Sequence, residues 1–317
     1  MKKSDKETRR NFLKIGIAAG ATALVGTGGK VFSAMSGNTA KAETGVKEKV
    51  LTADGKMVEV DKAHLCEGCV SSKESREGIP NKKMVMVIDL AKCRNARKCL
   101  EGCQEMHHLP PHMDWIKFYL MRDSADTAPY WFPKPCLHCN NPPCVKVCPV
   151  GATFKRTDGI VLVDNERCIG CKFCMAACPY SSRVFNWEEP MIDKSKITKP
   201  YSPETSTPAR LGTVSKCDFC PDMVRKGELP SCVTSCPNGV FWYGDKNEDS
   251  VTNGTETVRF REFLQDRAAY RFMEELGTEP SVYYLPPVNR AFDYNVGFEN
   301  LSPEEVELYK NEANITN

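Results

Sequence analysis

Four closely spaced cysteines followed by a proline, Cys168-x2-Cys171-x2-Cys174-x3-Cys178-Pro179, leave this chain few options. Thiolates at i, i+3 and i+6 on a tightly looping backbone converge on three corners of one cuboidal iron-sulfur cluster, while the fourth cysteine points elsewhere, as it does in two-cluster ferredoxins, where it ligates the neighbouring cluster. The proline that follows breaks the turn, so the chain can cross between the two sites. One such run therefore implies a paired run.

The remaining cysteines supply candidates. In chain order they read Cys93-x5-Cys99-x3-Cys103, then Cys136-x2-Cys139-x4-Cys144-x3-Cys148-Pro149, and, after the run above, Cys217-x2-Cys220-x11-Cys232-x3-Cys236-Pro237. The first group is short by one. Aligned on the third run, its missing ligand falls at Ala96. The four groups use fifteen of the seventeen cysteines, and Cys66 and Cys69 complete the count in His64-Leu65-Cys66-Glu67-Gly68-Cys69. Structural zinc also favours C-x2-C pairs, but it requires neither a third cysteine three residues after the second nor three repeats of x3-Cys-Pro. A disulfide framework is the other alternative for an exported chain.

The export route argues against that framework. Thr8-Arg9-Arg10-Asn11-Phe12-Leu13-Lys14 opens an apolar stretch from Ile15 to Val25, the pattern of a twin-arginine signal. The stretch is well short of the about 20 residues that span a bilayer. Ala40-Lys41-Ala42 fits the small-residue cleavage pattern better than Ser33-Ala34 does, giving a mature chain from Glu43. The twin-arginine pathway carries proteins already folded and loaded, as clusters assembled in the cytoplasm require. Residues 1 to 42 hold eight basic and two acidic residues, so their removal changes the formal net charge from +2 to −4. With lysine and arginine dispersed among acidic residues, nothing points to nucleic-acid binding. No later segment reaches the length of a membrane span, so the mature protein is expected to be soluble or peripheral, with partners providing any membrane contact.

Between the cysteine groups the punctuation is that of short elements. Met84 to Ile88 predicts a strand entering the first group, and Ala152 to Arg156 with Ile160 to Val163 a hairpin turning at Thr157-Asp158-Gly159. Val240 to Tyr243 predicts a strand after Cys236, and Lys172 to Ala177 a short helical turn. Glu189 to Arg210 reads as a long loop, and Phe260 to Leu276 as an amphipathic helix ending at Gly277. His64, His107, His108 and His112 read as loop or interface residues, not ligands. Lys172 and Arg167, beside the third run, could raise a cluster potential but read more simply as solvated surface charges.

The order of the four groups, with the x11 gap in the last, resembles the iron-sulfur subunits of the complex iron-sulfur molybdoenzymes, the dimethyl sulfoxide reductase family. Asp89-Leu90-Ala91-Lys92-Cys93, Cys217-Asp218-Phe219-Cys220, Gly227-Glu228-Leu229-Pro230-Ser231-Cys232 and Gly277-Thr278-Glu279-Pro280 are similar to segments of that family. The resemblance covers Met84 to Leu285 and implies an α+β fold of two dicluster bacterial-ferredoxin-like modules, with short strands and helices around the clusters, loops and a C-terminal extension. The expected organisation is a signal peptide at 1–42 and an N-terminal extension at 43–83. A first module would take 84–129 with 211–245 and a second 130–188, followed by a loop at 189–210 and a C-terminal helix and tail at 246–317.

Carried over residue by residue, the resemblance implies one cluster on Cys136, Cys139, Cys144 and Cys178 and its neighbour on Cys168, Cys171, Cys174 and Cys148. A third would use Cys217, Cys220, Cys232 and Cys103, leaving Cys93, Cys99 and Cys236 for a fourth. At Ala96 the chain departs from the family's pattern, because a methyl group cannot bind iron. Three outcomes are open: a 3Fe-4S cluster on three thiolates, a 4Fe-4S cluster completed by Cys66 or Cys69, or a lost cluster. Cys66 and Cys69 could equally form a disulfide or a buried thiol pair. The expected cofactors are three 4Fe-4S clusters and one 3Fe-4S cluster, or a fourth 4Fe-4S cluster. The expected role is electron relay outside the cytoplasmic membrane, without catalysis, between a large molybdopterin subunit and an integral membrane quinone-reactive subunit. The same relay in a nickel-iron hydrogenase or quinol-oxidising complex is the alternative, and a free periplasmic ferredoxin-like carrier is another.

Overall fold

The computed structural model describes residues 47–51, 57–61, 72–124, 127–190, 192, 201–204 and 209–314. The twin-arginine stretch, both cleavage positions, His64, Cys66 and Cys69 lie outside the described residues. An N-terminal unit, Met1–Leu65, contains an antiparallel hairpin of β1 (Lys47–Leu51) and β2 (Met57–Asp61). The second unit, Cys66–Asn317, carries the cysteine groups.

The apolar run Met84-Val85-Met86-Val87-Ile88 does form a strand, β3 (Met84–Asp89), and every residue of it is buried. It is the fourth strand of a five-stranded sheet ordered β12 (Thr257–Arg259), β11 (Ser250–Thr252), β10 (Phe241–Asp245), β3, β13 (Val282–Leu285). Both neighbours of β3 pair along it, β10 antiparallel with Phe241 opposite Ile88, and β13 parallel with Val282 opposite Met86. Alternation along the strand separates two cores: Met84, Met86 and Ile88 join Phe241 and Tyr243 on the cysteine-bearing face, while Val85 and Val87 join Trp242 and Phe260 on the other. Each such fully buried side chain stabilises the fold by about 1.5–3 kcal/mol.

Three two-stranded ribbons carry the chain between cysteine groups: β4 (Lys117–Met121) with β5 (Tyr130–Lys134), β6 (Thr153–Lys155) with β7 (Val161–Val163), and β8 (Val184–Phe185) with β9 (Val214–Ser215). The expected hairpin is present, with Thr153 opposite Val163. Its turn passes through Gly159 at φ 87°, and the Asp158 carboxylate accepts from the Ile160 and Ile79 amides at 3.1 and 2.9 Å. The same carboxylate pairs with buried Arg156, which also reaches Glu204. Arg225 holds the other side of Glu204 at 2.8 Å, so the described part of the long connection, 201–204, is pinned to the hairpin by a buried ionic network.

The helices are short: α1 (Ser72–Glu77), α2 (Lys98–His107), α3 (Pro143–Lys146), α4 (Phe173–Ala176), α5 (Pro221–Arg225), α6 (Ser231–Thr234), α7 (Phe260–Asp266) and α8 (Pro303–Asn314). The amphipathic pattern from Phe260 to Leu276 forms a helix only as far as Asp266. Tyr270 leaves the helical path to exchange backbone hydrogen bonds with Tyr284 at 2.9 and 2.8 Å, and Phe272 packs against the main core. A 3-10 turn at Glu274–Leu276 then ends on Gly277 at φ 63°, the left-handed stop expected of that glycine. The C-terminal stretch also returns to the body of the fold: Asn95 Nδ2 donates to the Gly297 carbonyl at 3.0 Å, and Trp131 meets Phe298 and Tyr309 edge to face.

Candidate iron-sulfur sites

The first and third cysteine runs follow one backbone path. Every position of the third lies 75 residues after its counterpart in the first: Cys93 and Cys168, Ala96 and Cys171, Cys99 and Cys174, Cys103 and Cys178. Between the ligands the chain turns left-handed at equivalent places, Asn95 (φ 56°) and Gly170 (φ 69°), then Arg97 (φ 53°) and Lys172 (φ 61°). Each second turn is the N-cap of a helix, α2 after Arg97 and α4 after Lys172. Ala96 therefore occupies the backbone position of the second cysteine in a loop otherwise shaped like the third run.

The second and fourth runs match in the same way. His138 (φ 41°) and Phe219 (φ 67°) precede Cys139 and Cys220, and α3 and α6 carry Cys144 and Cys232. These two equivalent side chains, His138 and Phe219, meet with ring centroids 3.7 Å apart. His138 is fully buried; its Nδ1 accepts from the Val161 amide at 3.0 Å and its Nε2 lies 3.1 Å from the Cys217 carbonyl, so Nε2 carries the proton and the ring is neutral. Burial, reinforced by the Lys216 charge, holds the imidazole well below its usual range.

Side chains from different runs converge, Cys178 with the second run and Cys103 with the fourth. Cys139 has Cys136, Cys144 and Cys178 as its electrostatic neighbours, and those four line one small cavity with Pro143, Tyr180 and Arg183. Cys174 faces Cys168 from its own run and Cys144 from the run before. Cys220 faces Cys232, Cys103 and Cys217, while Cys99 faces Cys236, Cys93 and Cys232. Cys136 and Cys217 are neighbours across the junction where His138 stacks on Phe219. Cys148 is tied into its site by the Thr153 amide, 3.5 Å from Sγ, and Cys236 by the Val240 amide at 3.4 Å.

The chemistry of this donor set fits clusters and not the alternatives. All fifteen described cysteines are free of disulfides. Four thiolates around one zinc ion lie about 3.8 Å apart, yet among the described residues the one trio of candidate ligands within 4.8 Å of one another is His107, Asp218 and Cys220. Among the described residues the cysteines of each group thus stand too far apart to close on a single ion. Burial pushes the thiols of Cys93, Cys139 and Cys217 up to about 12, and those of Cys99, Cys103, Cys220 and Cys232 well above their ordinary value. Such thiols become thiolates when iron displaces the proton. Cys148 is the exception: burial raises it, but the amides of Thr153, Val150, Ala152 and Gly151 outweigh that and hold it below the ordinary thiol value.

Two histidines that the sequence left aside or gave no signal for belong to this surrounding shell. His107, at the end of α2, is buried against Trp115 with its Nε2 3.4 Å from Cys220 Sγ and 3.6 Å from Asp218 Oδ1. His138, inside the Cys136-x2-Cys139 pair, is the junction residue described above; the contacts of both histidines with the fourth run, at Cys220 and at the Cys217 carbonyl, are tertiary and leave no local signal. Arg167 is a surface charge beside Asp164 at 3.4 Å, and Lys172, half-buried, lies over the Trp187 and Phe185 rings at 3.7 and 4.1 Å. Cys171 is the exposed ligand candidate, and around it Ile169, Phe173 and Trp187 are 63%, 60% and 68% exposed.

Residues 127–211 match the family of 4Fe-4S dicluster domains. The chain is 36% identical to a selenate reductase subunit of Mesobacillus selenatarsenatis over 63% of its own length and 71% of that protein's. It is 34% identical to a tetrathionate reductase subunit of Salmonella typhimurium over 74% and 84%. It is also 34% identical to the iron-sulfur cluster-binding subunit of menaquinone reductase from Nitratidesulfovibrio vulgaris, over 71% and 96%. With repeated cysteine loops, crossed sulfur groups and relatives of this kind, the chain belongs to the iron-sulfur subunits of the complex iron-sulfur molybdoenzyme, or dimethyl sulfoxide reductase, family.

Proposed function

We propose that this protein relays single electrons along a row of four clusters, three 4Fe-4S and one 3Fe-4S, held in two dicluster modules by the fifteen cysteines of the four runs. The observation that carries the reading is the crossed convergence of the cysteine side chains, with Cys178 among the second run and Cys103 among the fourth. Iron-sulfur clusters supply one-electron oxidation and reduction when bound. The chain's own contribution is to fix thiolate positions with the left-handed turns at Asn95, Arg97, Gly170 and Lys172, to exclude water with aliphatic and aromatic packing, and to aim amides at sulfur. Ala96 supports a three-iron site on Cys93, Cys99 and Cys236, since the backbone around it matches the third run and its side chain offers no ligand.

The partners in this reading are a molybdopterin catalytic subunit and an integral membrane quinone-reactive subunit, outside the cytoplasmic membrane after twin-arginine export. Support comes from the reductase relatives, from the arginine pair at Arg9-Arg10, and from the exposed apolar rim at Cys171, which a free carrier would have to keep in water. Among the described residues no helix is long and apolar enough to cross a membrane. Quinol-linked relay in a complex like menaquinone reductase is the second reading, favoured by the 96% coverage of that relative.

Anaerobic purification with an iron and acid-labile sulfide count, followed by electron paramagnetic resonance of the oxidised form, tests the cluster set. About 15 irons with a near-isotropic signal close to the free-electron value is the expected result. About 16 irons and a silent oxidised spectrum would move the missing ligand to Cys66 or Cys69. Co-purification with a large subunit tests the complex, and a chain that runs alone would make it a carrier.

A further inference from the structure

Arg183 is a buried cation that, among the described residues, has no carboxylate to balance it. It is 4% exposed, directly before β8, where the Ser182 hydroxyl donates to the Pro135 carbonyl at 3.3 Å and β8 pairs with β9. Its Nη1 donates to Thr153 Oγ1 at 3.2 Å, the guanidinium is within hydrogen-bonding reach of Cys144, and its buried Nη2 has no nitrogen or oxygen partner among the described residues. The groups around the guanidinium that become negative as thiolates are Cys144, Cys174 and Cys136, and the side chain lines the cavity formed by Cys136, Cys139, Cys144 and Cys178. A guanidinium cannot shed its proton in a protein, so a site that buries one unpaired must supply negative charge by other means. Thiolate-ligated clusters are the anions at hand, and Arg183 faces sulfur from both members of a pair: Cys144 and Cys136 from one ligand group, Cys174 from the other.

We propose that Arg183 is the shared counter-cation of the two clusters bound by Cys136, Cys139, Cys144 and Cys178 and by Cys148, Cys168, Cys171 and Cys174, and that it raises the reduction potential of both. This rests on the ligand assignment proposed above. A fixed positive charge favours the reduced, more negative state of each cluster. Standing between the two, it raises them together, so neither becomes a step uphill from the other. Lys172 and Arg167, the charges nearest in sequence to the third run, are engaged at the surface instead, with Trp187 and Phe185 or with Asp164.

The test compares wild-type holoprotein, Arg183→Gln and Arg183→Lys, each isolated without oxygen in its complex. Iron and sulfide are counted before a potentiometric titration followed by electron paramagnetic resonance. With iron content unchanged, Arg183→Gln is expected to shift two of the four midpoint potentials to more negative values and leave the other two in place, and Arg183→Lys to restore both. Loss of the pair's iron in Arg183→Gln with retention in Arg183→Lys would also support a counter-charge, since the charge would then be needed to hold the clusters at all. Four unchanged potentials in a fully loaded Arg183→Gln, or a shift in one only, would overturn the proposal and leave the ligand assignment standing. Loss of iron in both variants would also overturn it, by making the guanidinium's shape the requirement instead of its charge. A wild-type protein without iron would remove the ligand assignment itself.

Discussion

At residue 96 the alanine has taken a ligand's place without taking its loop. The left-handed turns on either side of Ala96 reproduce those around Cys171, and α2 starts where α4 does relative to the run. Ala96→Cys should therefore add a thiolate at a formed corner: iron rises by about one per chain and the oxidised three-iron signal fades. An unchanged spectrum would show that the fourth corner is already filled from elsewhere. Gly170 makes the opposite case. Its φ is 69°, and a Cβ there would stand 2.2 Å from the Gly212 carbonyl oxygen, a backbone atom that cannot step aside. Gly170→Ala should displace Cys168 and Cys171 and reduce total iron by about a quarter, the share of one cluster in four; full iron content would refute the role given to that turn. The gap at Ala96 is legible in the sequence because ligand spacing is local. His107 reads there as a loop residue, and His138 and Arg183 carry no signal, because His107 meets Cys220 and His138 meets the Cys217 carbonyl far along the chain, and only the fold gathers Cys136, Cys144 and Cys174 around Arg183.

The elements show the same division between local and distant causes. Met84 to Ile88, the Thr157-Asp158-Gly159 hairpin and the strand after Cys236 are legible, since apolar runs and turn residues act on their own segments. The helix from Phe260 is legible only to Asp266: its periodicity continues, but Tyr270 gains two backbone hydrogen bonds to Tyr284 by leaving it. The buried network of Arg156, Asp158, Glu204 and Arg225 is not legible either, as the charges lie on three separate segments. Removing its centre should be costly. Arg156→Met leaves two carboxylates buried without their common partner, which costs about 3–5 kcal/mol. In the loaded protein the visible absorbance should bleach at a clearly lower temperature than in the wild type, while the iron content of the cold, folded protein stays the same. An unchanged bleaching temperature would mean that Glu204 and Asp158 are satisfied without the arginine.

Across the whole molecule, exposure is distributed unevenly among the ligand candidates. Cys99, Cys103, Cys136, Cys139, Cys217, Cys220 and Cys232 are buried, whereas Cys171 is exposed, and Ile169, Phe173 and Trp187 extend its surroundings into an apolar rim. Trp187 is held in place by Lys172 above it and by Phe185 beside it at 4.5 Å, so the rim is preformed. In the relay proposed above, this exposed apolar patch is the expected seat of another protein, because tunnelling requires short distance and the patch requires cover. A Phe173→Ser, Trp187→Ser double variant should keep its full iron count and its potentials, since neither side chain is a ligand. It should lose co-purification with one of the two partner subunits proposed above and, with it, turnover that depends on passage through the whole complex; artificial dyes that deliver electrons directly should still reduce its clusters. Undiminished co-purification of both partners would show that the rim is not a seat, and loss of iron would show that it guards the Cys171 site from solvent instead.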